Sequence, residues 1–249
     1  MTGWPTGVGR RVLAEIDSTM TEGARIAPQL DGPEWVLALS QSDARGRRGR
    51  PWVMPKGNFA ASLVLHPKEP PAEVALRSFV AALALREAFV AATGKEKAFS
   101  LKWPNDVLLN GGKVAGILLE SHGVGSRVNH LVIGIGVNLA AAPDMDAVEE
   151  GAVRPVSLKT ALGVTIMPEA FLDLLAPAYA RYEAQFLTQG FGPIREAWLA
   201  HAARLGEVIT ARAGKSETMG TFRDVDGQGN LVLETSEGRK SIAAAEIFF

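Results

Sequence analysis

There is no cysteine among the 249 residues, so disulfides, thiolate metal sites and a thiol nucleophile are all excluded. Excess charge is lacking too. The 26 Lys and Arg against 27 Asp and Glu leave a formal net charge of -1, so no overall field draws the chain to a nucleic acid or an anionic membrane. No apolar run approaches the roughly 20 residues of a membrane span, and the first residues lack the apolar centre of a signal peptide. A cytoplasmic protein is expected, with no membrane and no nucleic acid among its partners. Histidines are few: His66, His122, His130 and His201 show no close ligand spacing, and no G-x-S-x-G is present. What remains is a chain that is 47% hydrophobic, enough for one large domain or a large and a small one.

The patterning predicts an α+β fold with an all-β appendage. WVLALS (35–40) and NFAASLVLH (58–66) read as strands, and 72–94 as a helix with Leu76, Phe79, Val80 and Leu83 on one face. Residues 99–103, 106–110, 113–121 and 129–139 read as a meander of strands, with a tight hairpin at Asn110-Gly111-Gly112, so the sheet should be antiparallel or mixed. A helix is expected over 168–187, bent at Pro177, and a short one around Ile194–Ala203. From Leu205 short strands alternate with Gly-containing turns, which suggests a small β-barrel module. The expected division is therefore 1–204 and 205–249.

Four stretches carry chemistry. SDARGRRGRPW (42–52) places Arg45, Arg47, Arg48 and Arg50 on a segment loosened by Gly46 and Gly49 and closed by Pro51-Trp52. A charge run is ordinarily a solvated face, but guanidinium forks fit phosphate oxygens, and glycines let backbone amides approach an anion. A duplex would need more basic surface than this chain has, so a phosphorylated small ligand is the better match. In LKWPNDVLLNGGKVAGILLE (101–120), Lys102, Asn105 and Asp106 gather around Pro104, while Lys113 leads an apolar strand. Asp106 could carry Mg²⁺, which prefers oxygen ligands. IDSTM (16–20) is expected to start a helix, with Thr19 and Glu22 in capping-box spacing and hydroxyls able to hold a polar group. In GIGVNL (134–139) the third glycine of a dinucleotide fingerprint is missing, yet Gly134 and Gly136 leave one strand face bare enough for a flat ligand. AGKS (213–216) looks like the end of a phosphate loop but fails, because Ile209 stands where a glycine is required. Positive charge, one carboxylate and bare strands, without an acid/base pair, suit phosphoryl or nucleotidyl transfer.

At these residues the sequence resembles the biotin–protein ligases. The matching motifs are ARGRRGRPW, KWPND, KVAGI and GIGVN, in the family's order and spacing, followed by a β-rich tail; the resemblance runs from about Val8 over nearly the whole chain. It implies a class II aminoacyl-tRNA-synthetase-like mixed sheet with flanking helices and a C-terminal SH3-like β-barrel. It also implies a reaction: biotin and ATP, with Mg²⁺, give biotinyl-5′-AMP and pyrophosphate, and biotin then passes to one lysine of a carboxylase's biotin carboxyl carrier domain. By that resemblance Ser18, Thr19, Gln41, Arg45, Gly116, Gly134 and Gly136 belong to the biotin site. Arg48, Arg50, Trp52, Lys102, Asn105 and Asn138 belong to the ATP or adenylate side, Asp106 to the metal, and Arg47 and Lys113 to the chemical step. Two positions depart from the pattern: Met20 stands where the family usually has asparagine, and Ala44 where the loop usually begins with glycine, so a stiffer loop start is expected. The DNA-binding helix-turn-helix that precedes the ligase core in some members is not expected before Ser18, and a monomer or weak homodimer is. The alternatives are a lipoate–protein ligase of the same fold and a non-catalytic nucleic-acid-binding module.

Overall fold

The computed structural model describes residues 3–125, 127–145, 152–214 and 216–248; Lys215 of the rejected AGKS motif lies outside them. A seven-stranded sheet is built from β1 (Gly9–Leu13), β2 (Glu34–Ala38), β3 (Phe59–Leu65), β4 (Phe99–Lys102), β5 (Asp106–Leu109), β6 (Gly112–Val124) and β7 (Arg127–Val137). Its order is β1-β2-β3-β7-β6-β5-β4. The β1–β2 pair is parallel and the others antiparallel, so the sheet is mixed, as the meander suggested. The β5–β6 turn rests on Asn110 and Gly111, at φ +48° and +82°. Two successive positive φ values match the right-handed strand twist, which is why Asn-Gly closes this hairpin tightly.

The sheet has two unlike faces, because side chains alternate along each strand. One face carries Trp35 and Leu37, Phe59, Ala61 and Leu63, Ile133, Ile135 and Val137, all buried. Against it pack α3 (Arg77–Thr93) and α5 (Pro168–Gln189), through edge-on pairs of Phe59 and Trp35 with Phe171 and Tyr179, and a stacked Phe89–Phe99 pair at 4.9 Å. The opposite face is set by the register. One row across the strands reads Ala38, Ala60, Gly136, Gly116 and Asp106; the next reads Val36, Ser62, Gly134 and Leu118. Helix α1 (Thr19–Ile26) covers part of this second face, and Gly23 lets it come close: a Cβ there would overlap Val132 and crowd Val64.

The structure redraws some expected boundaries. The helix foreseen over 72–94 is two, α2 (Pro71–Val74) and α3, because the Leu76 amide donates to Glu73 in a three-residue turn that breaks the four-residue ladder. Helix α3 is buried on more than one face, Arg77 included, since it lies between the sheet and other helices. It stops at Gly94, φ +68°. A short helix, α4 (Leu158–Leu162), precedes α5, which continues across Pro177. The following helix, α6 (Phe191–Leu199), begins and ends earlier than foreseen, because residues 201–203 instead bond to β4: Leu101 N–H donates to the His201 carbonyl and Ala203 N–H to the Leu101 carbonyl, both at 2.8 Å. The start of α1 is capped by Ser18, whose Oγ accepts from the Thr21 amide, and not by Thr19; Glu22 pairs with Arg25 and Arg11, so no capping box forms.

The tail forms an antiparallel five-stranded sheet of β8 (Val208–Ala213), β9 (Ser216–Val225), β10 (Leu231–Thr235), β11 (Gly238–Ile242) and β12 (Glu246–Phe248), in the order β11-β10-β9-β8-β12. Strands β1 and β12 were not foreseen. Among the described residues no helix is long and apolar enough to cross a membrane.

Candidate functional site

A cavity of about 540 Å³ opens on the second face of the large sheet, where the rows through Gly116, Gly134 and Gly136 lose their side chains. Of the expected site residues, Ser18, Thr19, Gln41, Arg45, Arg47, Arg50, Trp52, Lys102, Asn105, Asp106, Lys113, Gly116, Gly134, Gly136 and Asn138 all line it. Arg48 does not. Its backbone is left-handed, φ +58°, and its guanidinium is 2.9 Å from Glu246.

The end formed by α1 is polar and tightly held. The Thr19 amide donates to Gln41 Oε1 at 2.7 Å, and Thr19 Oγ1 accepts from the fully buried Ser62 hydroxyl at 2.9 Å. Arg45 donates through Nε and Nη2 to Glu120 at 3.3 and 2.9 Å, and through Nη1 to Thr21 at 2.9 Å. The carboxylate of Glu120 raises the Arg45 pKa further above its ordinary value. Met20 lies against Gly134, where any Cβ would overlap its sulfur.

The segment 44–52 is not an open loop. The Trp52 amide donates to Ala44 at 2.8 Å and the Gly46 amide to Arg50 at 2.7 Å, around a 3₁₀ turn at Arg47–Gly49. The result is a knuckle. Arg47 points inward, donating to Asn105 Oδ1 at 3.2 Å, and loss of solvent lowers its pKa. Arg48 and Arg50 point to Glu246 of β12, at 2.9 and 2.7 Å. Burial alone would raise the pKa of Glu246, but Arg50, Arg48 and Arg47 together hold it down. The Trp52 ring lies on Gly136 and Gly116, with Lys113 Nζ 5.8 Å from its centre, and its buried Nε1–H has no acceptor among the described residues. Gly136 must be glycine for this contact, since a Cβ would enter the indole.

The remaining end is cationic. Lys102 is desolvated, and its pKa falls for that reason. Lys113 Nζ lies 2.8 Å from Asp106. Asn105 Nδ2 donates to the Ile117 carbonyl, which ties the turn after β4 to β6. Asn58, fully buried, accepts from the amides of Ala140 and Ala141 at 2.9 and 3.1 Å and donates to Asn138 Oδ1 at 3.4 Å, so it fixes the chain where β7 leaves the sheet. Among the described residues no group of three or more acidic or histidine side chains is arranged to hold a metal. Asp106 is the carboxylate that stands among these cations.

Glu120, Glu246 and Asn58 escaped the sequence reading. Glu120 had a signal: it is a charge at the end of the apolar run KVAGILLE. For Glu246 there was none, because it reaches the cavity from the far end of the chain.

The comparisons with known proteins bear on this site. The model of the biotin/lipoate A/B protein ligase family matches residues 12–138, and that of the biotin protein ligase C-terminal domain matches 205–249. A biotin–[acetyl-CoA-carboxylase] ligase of Paracoccus denitrificans is 57% identical over 238 residues, 96% of this chain and 99% of that protein. The bifunctional ligase/repressor BirA of Bacillus spizizenii is 33% identical, across 95% of this chain and 73% of its own length. Among solved structures, a biotin protein ligase of Aquifex aeolicus in complex with biotin and ATP superposes with a TM-score of 0.79 at 26% identity, covering 96% of this chain and 97% of that one. The expected ligase core and SH3-like tail agree with these matches.

Proposed function

The chain belongs to the biotin/lipoate A/B protein ligase family, and from that premise we propose that it activates biotin with ATP and transfers it to a lysine of a biotin carboxyl carrier domain. The observation that carries this reading is one cavity with a glycine floor against which Trp52 and Met20 lie, a hydroxyl-rich end at Ser18 and Thr19, and a cationic end at Lys102, Lys113 and Arg47. A flat, uncharged ring system suits the apolar side chains over the floor and the hydroxyls beside them, and an acid with a nucleotide suits the cations.

In the first step a biotin carboxylate oxygen attacks the α-phosphorus, a new O–P bond forms, and pyrophosphate leaves with the electrons of the broken P–O bond. The carboxylate is already ionised at neutral pH, so no general base is needed. The barrier is the approach of two anions. Lys113 stands where it can neutralise both, once a phosphate oxygen competes for it with Asp106. Arg47, already partly desolvated, loses little hydration in meeting phosphate, and its charge is worth more in a site emptied of water. Asp106 offers a single carboxylate, which fits an Mg²⁺ held mainly by phosphate oxygens; that ion would draw charge from the leaving pyrophosphate. In the second step the neutral amine of the carrier lysine attacks the acyl carbon, the nitrogen gives one proton to solvent as the amide forms, and AMP leaves with the bonding pair.

Incubation with biotin, MgATP and a biotin carrier domain should add one biotinyl group to the carrier, read by mass spectrometry. No mass change, or pyrophosphate exchange driven by lipoate and not by biotin, would overturn the reading.

A further inference from the structure

The C-terminal sheet meets the larger one at a second place, away from the arginine knuckle and behind the segment that carries Lys102, Asn105 and Asp106. The turn joining β9 to β10 is organised by Asp226, whose Oδ1 accepts from the amides of Gln228 and Asn230 at 2.9 Å each and whose Oδ2 accepts from Ser241 at 2.6 Å. Gly229 stands at its tip with φ +81°. A Cβ there would lie 2.8 Å from Leu76 and 3.0 Å from Phe79, so only glycine lets the turn seat on the helical layer. What the turn delivers is an acceptor. Trp103, 4% exposed, donates its Nε1–H to the Gly229 carbonyl at 3.0 Å. Trp103 separates Lys102 from Asn105 and Asp106, so whatever fixes its indole fixes the backbone on which those three are mounted. Strand β4, which carries Lys102, is the outermost strand of the large sheet. Its outer edge is held by residues 201–203 through Leu101, and among the described residues no ladder bond constrains the chain past Lys102 from that side.

We propose that Gly229 is a positioning residue for the nucleotide end of the cavity, acting through Trp103 on the Lys102–Asp106 segment. The proposal rests on the reading of that end as the ATP site. Breaking this bond leaves a buried donor or acceptor unpaired and releases the ring from the turn that seats it, so the segment is free to shift. Of the biotin end, only Gly116 pairs with this segment; its α1, β3 and β7 residues do not share the support.

The test is isothermal titration of the full chain with α,β-methylene-ATP and, separately, with biotin. Trp103→Phe keeps the ring and removes the donor; Gly229→Ala pushes the turn off its seat. Gly227→Ala, in the same turn but facing open space, is the matched control. Affinity for the nucleotide analogue should fall about three- to tenfold in Trp103→Phe and at least as far in Gly229→Ala. Biotin affinity should stay within about twofold of the parent, and the control should match the parent in both. Unchanged nucleotide affinity in Trp103→Phe, an equal loss for biotin, or a parent that does not bind the analogue would overturn the proposal. If Gly229→Ala fails to melt cooperatively, Trp103→Phe alone decides. A parent that binds the analogue but shows no biotin-dependent pyrophosphate exchange would sink the ligase reading and leave the nucleotide titrations to judge this one.

Discussion

Arg47 and Arg48 are neighbours with opposite orientations, and the difference defines what each substitution should do. Arg47 is turned into the cavity onto Asn105, whereas Arg48 is turned out to Glu246. On the proposed reading, Arg47→Gly removes one charge-assisted contact to phosphate, worth roughly 1.5–3 kcal/mol, and loosens the knuckle. Lys113 remains, so bond formation should be slowed and not abolished. Retention should suffer more, since about 1.4 kcal/mol already means tenfold faster escape. The reactive adenylate should leak and label bystander proteins. A streptavidin blot of albumin incubated with enzyme, biotin and MgATP is expected to show stronger labelling by Arg47→Gly than by the parent. Equal labelling, with adenylate still formed, would remove Arg47 from any retaining role. Arg48→Gly should leave labelling near the parental level, because its contact is with the protein.

At the scale of elements, the knuckle and the histidine row make separate predictions. Residues 44–52 are held by three kinds of contact that an anion can rearrange: ion pairs to Glu246, the Arg47–Asn105 bond, and the Trp52 ring on glycines. Trypsin should cut after Arg45, Arg47 and Arg48 in the free protein, Arg50 being shielded by Pro51, and be blocked by biotin with MgATP; equal cleavage in both states would contradict a closing segment. On β6 and β7, His122 and His130 face each other with rings stacked 4.7 Å apart. Burial lowers the His130 pKa, and the charges of His122 and His66 lower it further. The folded chain thus binds this proton less readily than the unfolded one. The neutral histidine's contribution is fully present above the unfolded value of about 6.5 and is lost as pH falls through it toward the lower folded value. Urea denaturation should show a drop in stability as pH falls below about 6.5 that is smaller in His130→Phe; parallel curves would exclude His130 as the source. The same elements show what sequence can and cannot disclose. Asn110-Gly111 and the alternating Gly134 and Gly136 were readable because each encodes its own backbone or face. The Thr19–Glu22 spacing misled because helix phase depends on where Ser18 sits, and Glu246 was invisible because its role depends on a partner far away in the chain.

For the whole molecule, the question is whether two sheets make one cooperative unit. They are joined by Trp103 to Gly229, by Arg195 to Asp224 and the Val225 carbonyl, and by Glu246 to the knuckle. The first two bolts lie on the helical and β4 side and do not depend on ligand. Calorimetric unfolding should therefore give a single transition in which the enthalpy per molecule equals the van't Hoff enthalpy; two resolved peaks would mean that the β8–β12 sheet melts on its own. The third bolt has a temporal side. Glu246 follows Arg50 by about two hundred residues, so at roughly 5–20 residues per second the ribosome makes the arginine knuckle some 10–40 s before its counter-charge exists. Through that interval Arg45 and Arg47 gain Glu120 and Asn105, while the carboxylate that meets Arg48 and Arg50 is still to be made. The site is therefore made in the order cations, glycine floor, clasp.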